Sequence, residues 1–357
     1  MTEKRISSLE ELQQFCNELL NSNSYSSLLE LNIFHINLGA SGLNVFADTL
    51  KSQPSALSSL QKLNLSDNNL EETGLNALAE TLEREPTVLS SLQSLDLSRN
   101  NLGGGGFDAL ARTLERQPTV LSSLQILYLS MNAFGDSGMD IFVNTLERQP
   151  TVLSSLRELH LSCNNLGEIG MSAFVRVLPT ALTSLQTLYL SSNSLGGSGL
   201  NPLADILEKQ PNILSSLQKL YLYNNNLRDD GLNAFARTLE KHPAALSSLH
   251  TLDLSDNNMG DTGLNALQEA NNKVIRRTLG RWSILPRCKK LNLEKCWKIQ
   301  FLSEFYDCYS KEVQKESLAM WLMFCRERKK LCSSLPKRKT RLPPEIVSLI
   351  CSEIIRY

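Results

Sequence analysis

Apolar residues recur along this chain with a fixed period. From Leu60 the pattern runs Leu60, Leu63, Leu65, then Asn68 and Leu70, and it returns from Leu92, Leu124, Leu156, Leu185, Leu217 and Leu249. The steps between first leucines are 32, 32, 32, 29, 32 and 32 residues. Self-similarity at such a period marks a repeat architecture. A similar unit starts at Leu28, with Leu31 and Ile33 in place and Ile36 where asparagine is expected. A worn copy, CKKLNLEKC, carries Leu291 and Leu293, with Cys296 at the asparagine position. The chain therefore holds eight good repeats and one degenerate one.

Each part of the unit has a mechanical reading. The Leu63/Leu65 alternation predicts a short strand with one buried face. Asn68 follows it, and its amide can bond free backbone groups at the turn. Asn100, Asn132, Asn164, Asn193, Asn225 and Asn257 hold the same place and, stacked, would form a ladder. After Gly74, the residues Leu75, Leu78, Ala79 and Leu82 make one apolar helical face, and Pro86 stops the helix. One such unit cannot bury its own faces, so neighbours must stack. The expected fold is α/β: a horseshoe-shaped solenoid, parallel sheet inside, helices outside, helical caps at both ends. The cap at 1–27 is read as a helix over residues 7–20, started by Ser8 and Glu11, with Leu9, Leu12, Cys16, Leu19 and Leu20 on one face. The array spans 28–270. A worn repeat and helical cap are expected over 271–330, then a basic linker and terminal amphipathic helix over 331–357.

Composition narrows the picture. With 41% hydrophobic and 20% charged residues the chain is globular rather than disordered. No apolar run approaches a bilayer span, and the start, MTEKRISSLEELQQF, has no apolar stretch of the kind a cleavable secretory signal needs. The net charge of -1 divides sharply: residues 1–270 hold 16 Lys+Arg against 29 Asp+Glu, and the remainder is basic. Eight cysteines without a CxxC, and four histidines without ligand spacing, point to a reduced, cytoplasmic protein with no metal or cofactor. GxSxG, GxxxxGK and HExxH are all absent, so no enzyme is expected. The run Gly103–Gly106 reads as a strand-to-helix turn without the Lys-Ser/Thr follower of a phosphate loop.

The string LxxLxLxxNxLxxxGLxxLAxxL resembles the ribonuclease-inhibitor type of leucine-rich repeat over residues 28 to about 270. The uniform copies and unrelated tail also resemble leucine-rich-repeat effectors of intracellular bacterial pathogens. That resemblance implies a non-enzymatic module binding another protein on its concave face, in a host cytosol if the protein is a secreted effector. The family includes a GTPase-activating protein, so that activity is a further alternative by analogy of fold.

Third, fifth and seventh positions of each repeat should face the concave side. The fifth column runs Asn32, Asn64, Asp96, Tyr128, His160, Tyr189, Tyr221, Asp253. Tyr223 lies in the seventh column, and Ile126 and Met131 extend the patch. Exposed tyrosines at the centre of a face have the composition of an interface hot spot, and Asp96, Asp253, Asp256, Lys62 and Lys219 would form its polar rim.

The C-terminal region carries two further signals. The run 326–341, RERKKLCSSLPKRKTR, has the basic clustering that a nuclear import signal, anionic lipids or nucleic-acid phosphates would read. It has no interleaved aromatics, which counts against nucleic acid. The last residues resemble the first helix of an F-box, through Leu342, Pro343, Glu345, Ile346, Ile350, Ser352 and Ile354. That resemblance implies an alternative role as substrate adaptor of a cullin-type ubiquitin ligase, through a Skp-type partner. No small-molecule substrate is expected.

Overall fold

The structure is a computed structural model that describes residues 2–22, 25–277 and 290–292. Ten strands form one parallel sheet in chain order. They are β1 Glu3–Ile6, β2 Glu30–Ile33, β3 Lys62–Asn64, β4 Ser94–Asp96, β5 Ile126–Tyr128, β6 Glu158–His160, β7 Thr187–Tyr189, β8 Lys219–Tyr221, β9 Thr251–Asp253 and β10 Lys290–Asn292. The helices are α1 Leu9–Asn21, α2 Gly39–Ser52, α3 Glu71–Gly74, α4 Asn76–Arg84, α5 Gly103–Arg116, α6 Gly135–Arg148, α7 Glu168–Phe174, α8 Asn201–Lys209, α9 Arg228–Lys241 and α10 Asp261–Arg277. The 29-residue step falls between β6 and β7, where α7 is short and runs into a 3-10 turn at Val175–Val177.

The core lies between sheet and helices. Leu63, Leu95, Leu127, Leu159, Leu188, Leu220 and Leu252 are buried on the helix-facing side of the strands. Helical leucines such as Leu82, Leu114 and Leu146 meet them from the other side.

The asparagines are buried, and each joins its own repeat to the one before. Asn132 Nδ2 donates to Leu129 O at 3.0 Å and to Leu97 O of the preceding repeat at 2.9 Å. Asn132 Oδ1 accepts from Asn100 N at 2.9 Å, and Asn164 Oδ1 accepts from Asn132 N at 2.9 Å. The chain of amides runs unbroken from Asn68 to Asn257. At its start Asn68 Oδ1 takes Ile36 N and Leu38 N, so the isoleucine repeat is served by its neighbour. A second polar column runs through the helices. The buried Thr81 hydroxyl lies 2.9 Å from Ala77 O and 3.2 Å from Ala47 O, and Thr113 Oγ1 lies 3.2 Å from both Ala109 O and Ala79 O.

Some details depart from the sequence reading. The N-terminal cap is a strand followed by a helix: β1 pairs in parallel with β2, Lys4 opposite Leu31. Ser8 Oγ accepts Glu11 N at 3.1 Å, while the Glu11 carboxylate turns to Ser7 N and Ser7 Oγ. The buried face of α1 is Leu12, Phe15, Cys16 and Leu19, whereas Leu9 and Leu20 are exposed. Phe15 fits there because its ring meets Tyr25 edge-on at 4.8 Å. Gly103–Gly106 lie in the first turn of α5 rather than before it. At the far end, α10 crosses residue 270 without a break, so the boundary expected there falls inside a helix. The basic run 326–341 and the F-box-like residues 342–354 lie outside the described residues.

Two helix starts are capped from the repeat before. Asp136 Oδ1 accepts Gly167 N at 2.7 Å and Gly170 N at 2.9 Å, at the opening of α7. Asp229 Oδ1 does the same for Gly260 N at 2.7 Å and Gly263 N at 3.0 Å, at the opening of α10. A carboxylate there also meets the positive end of the helix dipole.

Removing a ladder amide strands buried backbone groups, and each such group costs about 1–3 kcal/mol. Asn164→Ala should therefore lower the urea midpoint clearly. Exposed Asn165 has φ of 59°, so glycine rather than alanine is its neutral replacement. Equal midpoints for Asn164→Ala and Asn165→Gly would count against the ladder as a source of stability.

In most repeats the turn entering the helix takes a left-handed residue; Gly167, at φ of −100°, is an exception. Gly39, Gly103, Gly135 and Gly196 supply it at φ of 60°, 56°, 60° and 75°, but Glu71 and Arg228 adopt 59° and 53° in the same place. Side-chain-bearing residues are strained there by about 1–2 kcal/mol, part of which glycine returns as chain entropy. Glu71→Gly and Arg228→Gly should each raise the urea midpoint by the equivalent of about 0.5–1 kcal/mol.

Candidate protein-binding surface

Parallel strands in exact register place like positions side by side. Tyr128 pairs with His160, His160 with Tyr189, and Tyr189 with Tyr221, while Asp96 and Asp253 close the two ends of the row. Backbones of neighbouring strands are ~4.8 Å apart. Ring centroids are closer: 4.2 Å for Tyr128–His160, 4.1 Å for His160–Tyr189 and 4.4 Å for Tyr189–Tyr221. The last two pairs are stacked, with interplanar angles of 17° and 2°. Side chains thus lean together on the inner face, and four rings form one continuous stack.

This changes what the surface offers. The rings cover one another's faces, so Tyr128, Tyr189 and Tyr221 are half-buried rather than exposed as the sequence reading has them. Ring edges, phenol hydroxyls and the outer faces of the two end rings, Tyr128 and Tyr221, are what the stack leaves. The exposed members of the expected patch are Tyr223, at 41%, and Met131, at 42%. Met131 sits past the strand end, in a turn at φ of 61°. Ile126 flanks the row at the third position of β5, half-buried. Thr187 and Ser191, either side of Tyr189 on the same face, are buried at 4% and 1% exposure, which makes β7 the deepest strand of the patch. Sequence reasoning passed over both; their only signal was that bulky residues occupy the neighbouring strands.

His160 is the electrostatic centre. It is wedged between two phenol rings, and its Nε2 is buried without a hydrogen-bond partner. Glu158 Oε2, on the same strand, lies 3.6 Å from Nε2, within ion-pair range but beyond a hydrogen bond. Burial pushes the imidazole below its ordinary value of 6.5, and the nearby Glu158 and Asp96 carboxylates oppose that only in part. The ring is therefore neutral at neutral pH. Burial also pushes the Tyr189 phenol up to about 12, with Tyr221 and Glu158 adding to the effect. Tyr128 is raised by burial, then by Glu158 and Asp96. The Tyr128 and Tyr189 phenols therefore remain protonated and able to donate.

At the rim, Lys62 pairs with Glu30 at 3.2 Å. Among the described residues no three His, Cys, Asp or Glu side chains gather as a metal site, and no helix is long and apolar enough to cross a membrane.

Residues 56–79, 88–111, 120–140, 152–175, 181–204 and 245–267 match a family described as Leucine Rich repeat, and residues 216–237 match a second family of the same description. These are leucine-rich repeats. The fold is a leucine-rich-repeat solenoid, and leucine-rich-repeat proteins bind other proteins. No curated protein matches the chain. Among solved structures it is similar to a leucine-rich-repeat-containing protein, LegL7, from Legionella pneumophila, at 17% identity over 87% of this chain and 98% of that one, with a TM-score of 0.46. A chain of the yeast Rad7 and Elc1 complex matches at 14% identity over 86% of this chain and 73% of that one, with a TM-score of 0.43. An internalin, inlF, of Listeria monocytogenes matches at 17% identity over 78% of each chain, with a TM-score of 0.42.

The wedged histidine should leave a mark on stability. Its folded value lies below the unfolded value of 6.5, so the native leucine-rich-repeat array binds this proton less tightly than the unfolded chain. The stabilisation is complete above the unfolded value and is lost as the pH falls through the folded one. Urea midpoints taken from about pH 7.5 down to about pH 5 should fall more steeply for the native protein than for His160→Tyr, which keeps an aromatic ring in the stack. Parallel pH profiles would show that His160 titrates as it does in the unfolded chain.

Proposed function

We propose that this protein is a non-enzymatic binding module that holds another protein on its concave face, over β5 to β8. The observation that carries the reading is the four-ring stack of Tyr128, His160, Tyr189 and Tyr221. Tyrosine favours strands in general, but strand preference alone would scatter it over all the repeats. Here the column is polar in β2 to β4, aromatic in β5 to β8 and acidic in β9. The stack also pre-orders its side chains. Four rings fixed by their neighbours lose little further freedom when a partner arrives, which favours affinity. Tyr223 and Met131 supply exposed contact area beside it. The working environment we propose for such a module is the cytoplasm, on the cysteine usage of the sequence, eight cysteines without a CxxC.

Tyr189→Ala combined with Tyr221→Ala should weaken partner binding about a thousandfold, since central aromatics contribute about 2 kcal/mol or more each. Leu188 and Leu220 point into the core from the opposite face and are untouched, so the far-ultraviolet circular dichroism should not change. Asn64→Ala, at the polar end of the same column, should act weakly. If Asn64 matters and the tyrosine pair does not, the partner sits elsewhere and the concave reading fails.

A further inference from the structure

The stack limits what a partner can do with it. Inner ring faces are already covered at 4.1–4.4 Å, so a partner cannot stack on them. Two faces are left: the outer face of Tyr128, toward β4, and the outer face of Tyr221, toward β9. In each case the next residue in the row is an aspartate, Asp96 at one end and Asp253 at the other. Aspartate is much shorter than tyrosine and has no ring, so it does not continue the stack, and Tyr128 and Tyr221 are only half-buried.

Both carboxylates are held in place. Asp96 Oδ1 accepts Ser98 N at 2.8 Å. Asp253 Oδ1 accepts Ser255 N at 3.1 Å and Ser255 Oγ at 2.6 Å. No ion pair among the described residues uses either aspartate. Each end of the stack therefore offers a negative ring face beside an oriented carboxylate. A cation gains from both, by attraction to the ring and by ion pairing. The same sheet surface already holds one such contact: the Arg5 guanidinium lies 4.7 Å from the centre of the Phe34 ring. Charge around the stack agrees. Among third- and fifth-position residues of β4 to β9, Asp96, Glu158 and Asp253 face a single cation, Lys219, and His160 is neutral.

We propose that the partner segment bound on the concave face is cationic, with one Lys or Arg over Tyr128 beside Asp96 and another over Tyr221 beside Asp253. The inference rests on the concave reading and adds the chemistry of the partner to it. Asp96 and Asp253 are five strand spacings apart, ~24 Å, which an extended segment covers in about seven residues. The segment therefore crosses the strands, carries its two cations at that separation, and meets tyrosine edges and hydroxyls in between.

Three labelled peptides test this on the full chain by fluorescence anisotropy. Each has two end residues separated by about six Gly, Ser and Thr residues; the ends are Arg in one, Gln in the second and Glu in the third. At about 50 mM salt the arginine peptide should bind roughly tenfold or more tighter than the glutamine peptide, and the glutamate peptide should bind least. The preference should shrink at about 300 mM salt. Asp96→Asn with Asp253→Asn should abolish it, and those replacements keep the oxygens that accept from Ser98 and Ser255. Equal binding of the arginine and glutamine peptides overturns the proposal, as does a preference that survives in the double asparagine variant. An arginine peptide that does not bind overturns it too. If the glutamine peptide binds as well as the arginine one, and Tyr189→Ala with Tyr221→Ala removes both, the concave reading stands and only the cationic partner falls.

Discussion

A turn buried between strand and helix has to find partners for its backbone groups, and in this protein the next repeat supplies them. That single requirement orders the rest of the array. Asn132 satisfies Leu97 O and Asn100 N while holding its own Leu129 O. Because the donors and acceptors are the same at every joint, strands must lie in exact register, and one-residue slips are excluded by unmet buried groups. The helices follow more loosely. The step between β6 and β7 is three residues shorter than the others, yet Asn164 N still meets Asn193 Oδ1 at 2.9 Å. The ladder thus counts from leucine to asparagine and tolerates variation on the outer side.

The aromatic row is a by-product of the same register. Once like positions stand side by side, four large side chains in consecutive repeats can do little except stack. Stacking orders them, hides their faces, and removes water from the ring of His160. A surface that looks on paper like a patch of exposed tyrosines becomes a rigid ridge of ring edges and hydroxyls with an acid at each end. Its electrostatics come from short side chains that could not join the stack, Asp96 and Asp253, and from Glu158, two residues before His160 on β6.

The repeats, the alternation of buried leucines, the capping serine of α1 and the ladder positions were legible because each depends on residues close in sequence or on a period that the chain repeats. Other features were hidden for a physical reason. β1 has no leucine pattern; four residues suffice there because they need only pair with the edge of β2. Asp136 caps a helix 31 residues onward, a distance no local motif spans. The strain at Glu71 and Arg228 follows from a turn whose shape is set by the other repeats. The candidate site was half legible. Its members could be named from position in the repeat, but whether they would be exposed or stacked depended on how side chains lean between strands.

The ladder also has a direction. Each asparagine amide reaches back: its oxygen takes an N–H, and its nitrogen gives to a carbonyl, of the repeat that precedes it. From Asn68 to Asn225, each ladder asparagine has its backbone N–H taken by the asparagine of the following repeat. During synthesis on the ribosome, a repeat that has emerged therefore waits, with buried groups unmet, for the following 32 residues to arrive. At ordinary translation rates of about 5–20 residues per second that lag is a few seconds. The array should consequently assemble in the order it is translated, always one repeat behind the growing end.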